Sequence, residues 1–407
     1  MRTLSLLALF ALACAPTPPR DARVVDQRTP ELGPVVDGNN ALSLDLYQEV
    51  AGEPGNLFFS PFSITSALSM TWAGAADTTS DEMATVLHAT GDETTWHQQL
   101  GALTRDLSGD HEGRGYTLNV ANKLFGQTGY PWKQPFLDVT ATDYGAPLQE
   151  LDYTADPEAA RHTINQWVAD QTMDRIPELL PQGSVEDTTR IVLANAIYFK
   201  ADWALQFDPA DTSDQTFHLA DGGTVTVPMM SREGGGRVAH LADPALTVLQ
   251  LPYQDDEVSM VVLLPDAIDG LPDVESALTP EALDGWIGQV SDADDAYISL
   301  PKFELHQKLP LAPILADLGM PTAFDPNAAD FTGMADVPTE PLYIQDVLHE
   351  AWVKVDEQGT EAAAATGVVV GTTSAMEPVV CDHPFVFLIR DDLTGTILFL
   401  GRVEDPS

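Results

Sequence analysis

Basic residues are scarce in this chain of 407 residues, which has 19 lysines and arginines against 62 aspartates and glutamates. The formal net charge is −43 at pH 7. Nucleic acids and anionic membrane surfaces repel such a chain, so we expect neither as a binding partner. The acidic residues are spread along most of the sequence, a pattern that favours a solvated surface over one acidic binding face.

Cysteine is also scarce, and the two that occur, Cys14 and Cys381, cannot build a disulfide framework. Cys381 lies in an apolar stretch, which indicates a buried thiol. The apolar run 4–13 is too short to span a bilayer and is typical of the core of a signal peptide. We therefore predict a signal peptide over 1–14.

A proline-rich segment follows over 15–37, with few large apolar residues, and is typical of a linker. No comparable stretch divides the chain after Asp37. The remaining residues 38–407 are long enough for two domains, but the lack of a linker favours one large domain.

Signatures of catalysis are missing from the sequence. It has no Gly-x-Ser-x-Gly elbow, no His-Glu-x-x-His pair and no phosphate-binding loop. We predict no catalytic residues, no metal site and no cofactor. An enzyme remains the main alternative class, because serine, histidine and aspartate are all present.

The segment 357–376 stands out because it has no charged residue between Ala362 and Met376. Its alanines favour helix, while Val368 to Val370 favours strand. The strand alternation starting from Thr360 places only small or apolar residues on one face. This pattern predicts a loop that can enter an existing sheet, although a buried strand in a static fold has the same periodicity.

The same segment, from Glu357 to Thr366, resembles the hinge of the reactive loop in inhibitory serpins. Five further segments match that family in order, and the chain is identified as a member over almost everything after residue 40. These segments are 56–63, 164–180, 193–203, 384–388 and 399–402. The resemblance implies an α+β fold, a single domain with three β-sheets and about nine helices. It also implies an exposed reactive loop at about 357–378.

The resemblance implies a monomeric suicide inhibitor. A serine or cysteine protease cleaves the loop and becomes covalently bound as an acyl-enzyme, and the loop then inserts into the main sheet. Counting sixteen residues on from Glu357, or eleven back from Pro384, places the reactive bond at Thr373–Ser374. Thr373 suits elastase-like or subtilisin-like proteases, and the lack of Lys and Arg between Val355 and Ile389 argues against trypsin-like ones. Cleavage at Met376 would suit a chymotrypsin-like target.

The resemblance also assigns roles to two sets of residues. The hinge set is Glu357, Gly359, Thr360, Glu361, Ala362, Ala363, Ala364, Ala365 and Thr366. The set under the opening of the main sheet is Asn56, Ser60, Ser63, Asn195, Trp203 and His349, of which all but Trp203 are expected to share a hydrogen-bonded cluster. The hinge has no charged or large inward residue, and burying an unpaired charge there would be costly. This favours an inhibitor over the alternative, a serpin that is cleaved without trapping the protease.

The N-terminal residues around Cys14 resemble the cleavage box of bacterial lipoproteins, in which the cysteine becomes the lipidated mature N-terminus. Ala11 departs from that box, where leucine is usual. We expect a bacterial protein that is exported to the extracellular space or the cell envelope. Contact with a membrane would be through this lipid alone. An ordinary cleaved signal peptide is the alternative.

Overall fold

The computed structural model describes residues 31–108, 115–293, 295–337, 339–361 and 378–407. Within these ranges the chain forms nine α-helices and three β-sheets, so the predicted α+β fold is confirmed. The helices are α1 (Gly33–Ala51), α2 (Pro61–Trp72), α3 (Asp77–Val86), α4 (Glu93–Ser108), α5 (Gln134–Thr142), α6 (Pro157–Gln171), α7 (Leu271–Ala277), α8 (Pro280–Ile287) and α9 (Leu311–Asp317). No helix in the described ranges is long and apolar enough to span a bilayer.

In the described part of the chain, seventeen strands form the sheets. They are β1 (Leu57–Phe59), β2 (Tyr116–Gln127), β3 (Gln149–Leu151), β4 (Ile191–Asp202), β5 (Ser213–His218), β6 (Thr224–Glu233), β7 (Arg237–Ala242), β8 (Ala245–Pro252), β9 (Val258–Pro265), β10 (Ser291–Asp292), β11 (Tyr297–Pro301), β12 (Phe303–Pro310), β13 (Leu348–Val355), β14 (Gly359–Thr360), β15 (Val379–Val380), β16 (Phe385–Asp391) and β17 (Ile397–Val403). The six-stranded sheet has the order β12-β13-β14-β4-β2-β3. The seven-stranded sheet has the order β1-β17-β16-β9-β8-β7-β10, and the four-stranded sheet β15-β11-β6-β5.

The pair Ser60-Pro61 predicts an N-cap followed by the first residue of a helix, and helix α2 begins there. The Ser60 side chain accepts a hydrogen bond from the Ser63 N–H, and Pro61 takes the first helical position, where its missing N–H costs nothing. Helix α1 begins earlier than expected, at Gly33, with Pro34 in its first turn and Val35 fully buried. The predicted boundary between linker and domain, at 37 and 38, therefore falls inside a helix.

One predicted strand is wrong. The apolar pattern over 297–305 indicates a single strand, but the chain forms β11 and β12 there, in two different sheets. Lys302 lies between them and donates its backbone N–H to the Pro228 carbonyl. Local alternation does not show which sheet a residue pairs with, so the pattern cannot reveal this crossing.

The six-stranded sheet is covered on both faces. The main core lies between this sheet, the seven-stranded sheet and the first helices. On the opposite face, α6 and the segment that follows it form a smaller cluster, in which Ile164 and Val168 pack with Phe125 and Ala194. A helix therefore lies across the outer face of the sheet that contains the predicted hinge.

Candidate functional site

The two-residue strand β14 lies between β4 and β13 at one end of the six-stranded sheet. Thr360 is paired with Ala201 on one side and Val355 on the other. Among the described residues, no ladder joins β4 directly to β13. We call the space between these two strands, which begins at Thr360, the slot. The hinge therefore already occupies the first position of the slot.

Both residues of β14 fit this position closely. A Cβ atom on Gly359 would lie 2.0 Å from the Ala201 carbonyl oxygen, so only glycine fits there. Thr360 faces inward, as the alternation predicted, and is 1% exposed. Its hydroxyl oxygen lies 2.6 Å from the hydroxyl of Tyr253, which satisfies both buried groups.

Trp203 lies directly against the turn that precedes β14. Its indole N–H donates to the Asp356 carbonyl at 3.0 Å, and its backbone N–H donates to the Gln358 carbonyl at 2.8 Å. The indole ring stacks on Tyr253, with ring centroids 4.5 Å apart. Trp203 therefore fixes the turn from which the hinge enters the sheet.

Glu357 anchors the same turn through its carboxylate. The Lys302 ammonium donates to its two oxygens at 2.7 and 3.0 Å, and the Thr212 hydroxyl donates to one of them at 2.9 Å. Burial opposes ionisation of this carboxyl, but Lys302 and Thr212 outweigh it and lower the pKa of Glu357. The anchor is therefore an ionised carboxylate with three hydrogen bonds.

A second polar cluster holds β4 and β13 further along the slot. The Ser60 N–H donates to Nε2 of His349 at 3.0 Å, and the Ser63 hydroxyl donates to the Asn195 side chain. The Asn195 amide in turn donates to Asn122 at 2.6 Å. Burial lowers the pKa of His349 to about 4, so its ring is neutral near pH 7 and accepts the Ser60 N–H.

Asn56 is not part of this cluster, which corrects the expected set. Its side-chain amide N–H donates to the backbone carbonyl of Asp405 at 2.6 Å, and its side-chain oxygen Oδ1 accepts from the backbone N–H groups of Glu404 and Asp405. It precedes β1, which pairs with β17, so it lies beside the C-terminal segment. Ser60, Ser63, Asn195 and His349 are brought together.

A cavity of about 270 Å³ opens beside the polar cluster. Its lining comes from α2, β4, β13 and the segments 179–190 and 341–347. Ile64, Leu193 and Leu348 give it an apolar wall, while Asn195 and His349 line it from the cluster. The cavity therefore lies between β4 and β13 at the end of the slot that is distant from Thr360.

The family model described as serpin, serine protease inhibitor, matches residues 37–406. The chain belongs to the serpin family. The leukocyte elastase inhibitor of Bos taurus is 40% identical over 377 residues, which is 90% of this chain and 98% of that protein. An uncharacterized serpin-like protein of Thermococcus kodakarensis is 37% identical over 379 residues, covering 92% of this chain and 86% of that one.

Solved serpin structures have the same fold. Uncleaved ovalbumin aligns with a TM-score of 0.82 at 28% identity, over 92% of this serpin and 100% of that chain. Human thyroxine-binding globulin, solved with its hormone bound, aligns with a TM-score of 0.83 at 28% identity, over 93% of this serpin and 100% of that chain.

Several predicted positions lie outside the described residues. They are Cys14, Ala362, Ala363, Ala364, Ala365, Thr366, Thr373 and Ser374. Sequence reasoning in turn missed six residues that contact the hinge or the polar cluster: Asn122, Arg175, Tyr198, Thr212, Tyr253 and Lys302. A polar residue inside an apolar strand was a usable signal for Asn122. Nothing local distinguishes Tyr253.

Proposed function

We propose that this serpin is a suicide inhibitor of a serine endopeptidase. The protease serine attacks the carbonyl carbon of Thr373, the bond to Ser374 breaks, and the Ser374 nitrogen takes the proton as a new amine. The Thr373 carbonyl stays bound to the protease as an ester. The loop then inserts into the slot and carries the protease with it before water reaches the ester.

The position of Thr360 is the observation that supports this proposal most. It is already paired with both β4 and β13, and it is buried at the first position of the slot. The later inward positions in the sequence are also small or apolar. About a dozen new backbone hydrogen bonds, at about 1 kcal/mol each, would give insertion a drive on the order of 10 kcal/mol.

The target class follows from the bait. A trypsin-like pocket needs a basic residue before the cut, and none occurs between Lys354 and Arg390. Thr373 is small and uncharged, which suits an elastase-like or subtilisin-like pocket. The names of the vertebrate relatives support an elastase-like target for this chain as well.

The test is to mix the purified protein with elastase-like, subtilisin-like, chymotrypsin-like and trypsin-like proteases and to map each cleavage. We expect a complex that survives denaturing electrophoresis with the first two classes, with the cut after Thr373. Cleavage without a complex for every protease would overturn trapping and leave a serpin that is only a substrate. Separation of the unmixed protein by gel filtration would test the expected monomer.

We also propose that the chain is exported from a bacterial cell and lipidated at Cys14. The run 4–13 and the position of Cys14 after a small residue support this. Expression of the full chain in a bacterium, followed by mass spectrometry of the N-terminal peptide, should find an acylated cysteine. A peptide that begins at Ala15, or any free Cys14 thiol, would contradict lipidation.

A further inference from the structure

Glu361, the last described residue of the hinge, is held by Arg175 in the segment that follows α6. Nε and Nη2 of Arg175 lie 2.6 and 2.5 Å from one carboxylate oxygen of Glu361. The same guanidinium lies over the ring of Trp352 in β13, 4.4 Å from its centroid. Arg175 thus joins the hinge to β13 and to the segment lying across the sheet.

Glu361 is also the point where the chain leaves the sheet. Its N–H still donates to the Lys354 carbonyl at 3.0 Å, as a residue of β14 would. Its φ angle, however, is 51°, in the left-handed region that glutamate rarely adopts. A strand that continued into the slot, antiparallel to β4 and β13, would need a φ of about −140° at this residue. Insertion of the loop must therefore begin with a backbone rotation at Glu361.

The surroundings of the Glu361 carboxylate favour the observed conformation. Its side chain is only 11% exposed, so the ion pair with Arg175 is shielded from solvent on that side. Tyr198 of β4 faces the same carboxylate, and burial together with this carboxylate raises the pKa of the phenol. Rotation at Glu361 has to disturb contacts with both β4 and the segment after α6.

We propose that Arg175 is a positioning residue, which holds Glu361 in its left-handed conformation and so opposes extension of β14 beyond Thr360 into the slot until the reactive bond is cut. This inference rests on the proposed function, since it assumes that the slot receives the loop. We assign Arg175 no role in recognition of the bait. Its effect is on the first step of insertion, in which the carboxylate is released and the backbone rotates.

The test is the rate of covalent complex formation, measured by rapid mixing over a range of protease concentrations. Loss of a half-exposed ion pair should raise the limiting rate of the Arg175→Gln variant about fivefold. The protease concentration that gives half the limiting rate should stay unchanged, because recognition of the bait is untouched. Glu361→Gln should have the same effect, and the double variant should be no faster than either single variant.

Arg237→Gln is the matched control. Arg237 lies in β7 of the seven-stranded sheet, and its Nε lies 3.3 Å from Asp292 of β10, away from the hinge and the slot. Its removal should leave both kinetic constants unchanged. An unchanged or lower limiting rate for Arg175→Gln, or additive effects in the double variant, would overturn the proposal. If Arg175 had a purely structural role, its replacement would lower the stability of the protein. It would not raise the limiting rate while leaving the protease concentration at half that rate unchanged.

A second measurement separates this inference from the proposed function. Each variant is cut with excess subtilisin, and the rate of change in tryptophan emission and the final melting temperature are recorded. If no protease is trapped but the cut protein gains stability, the proposed suicide inhibition is wrong although the loop still enters the slot. The inference then stands only if the tryptophan emission of cut Arg175→Gln still changes faster than that of the cut unmodified protein. If the cut protein gains no stability, the slot does not receive the loop and both proposals fail.

Discussion

The two ends of the slot are closed in different ways. At the end that contains β14, the chain itself lies between β4 and β13, with backbone pairing on both sides and Tyr253 and Trp203 packed behind it. Further along, the strands are held from the start of α2. The backbone N–H of Ser60 donates to His349, and the hydroxyl of Ser63 donates to Asn195.

This difference separates two tasks. The strand β14 belongs to the same segment as the reactive loop. The pairing of Thr360 therefore sets the register in which every later loop residue would pair with β4 and β13. The polar cluster instead joins the strands through a few side-chain hydrogen bonds, which can break and form again without loss of the apolar core. The first end should therefore respond to steric changes, and the second to pH.

The largest effect is expected at the β14 end, from Thr360→Arg. An arginine in this buried position has no anionic partner, and burial of an unpaired charge costs several kcal/mol. The variant should be cleaved after Thr373 without trapping, which electrophoresis of the protease mixture will show. Gln358→Arg, at a partly exposed residue of the preceding turn, is the control and should still trap. Equal trapping by both variants would mean that the inward register is wrong.

The next effect concerns pH and the other end of the slot. His349 has a pKa of about 4 in the folded protein against about 6.5 when unfolded. The unfolded state therefore binds the proton at a higher pH than the folded state does. The stability that depends on a neutral His349 is fully present above pH 6.5, and it is lost as pH falls from 6.5 to 4. The loss reaches about 2 kcal/mol at pH 5.

Urea unfolding at pH 7.5 and pH 5 measures this loss. His349→Gln keeps an acceptor for the Ser60 N–H but does not titrate, so its stability should fall less over the same range. Hydrogen exchange should show that amides near Asn195 lose protection before those paired with Thr360. Equal pH dependence of the two proteins would contradict the assignment of a neutral, buried His349.

The smallest effect is expected from Tyr253→Phe. The change leaves the buried hydroxyl of Thr360 without its partner and should cost about 1 kcal/mol in unfolding free energy. The double variant Tyr253→Phe/Thr360→Val removes both hydroxyls and should recover most of that loss. Chemical unfolding of the three proteins measures this, and a double variant no more stable than Tyr253→Phe would argue against the paired hydroxyls.

Much of the fold was predictable because it depends on local patterns. Ser60 followed by Pro61 marks the start of α2, and long apolar runs mark β4 and the C-terminal strands. The inward position of Thr360 follows from strand alternation, which depends on the adjacent residues in sequence and not on the strands that pack around it. Pattern reasoning fails where two segments distant in sequence meet. It joined β11 and β12 into one strand. The resemblance, in turn, placed Asn56 with Ser60, although its side chain bonds to Glu404 and Asp405.

The sequence by itself determined the family and the fold class through its resemblance to serpins. It determined the small inward residues of the hinge through strand alternation, which is a property of neighbouring residues. Only the tertiary structure decided that Thr360 is already inserted, that Tyr253 and Lys302 secure the hinge, and that Arg175 holds Glu361. These contacts join residues more than fifty positions apart in the chain. Their geometry depends on how three sheets and a crossing helix pack together, which no local pattern encodes.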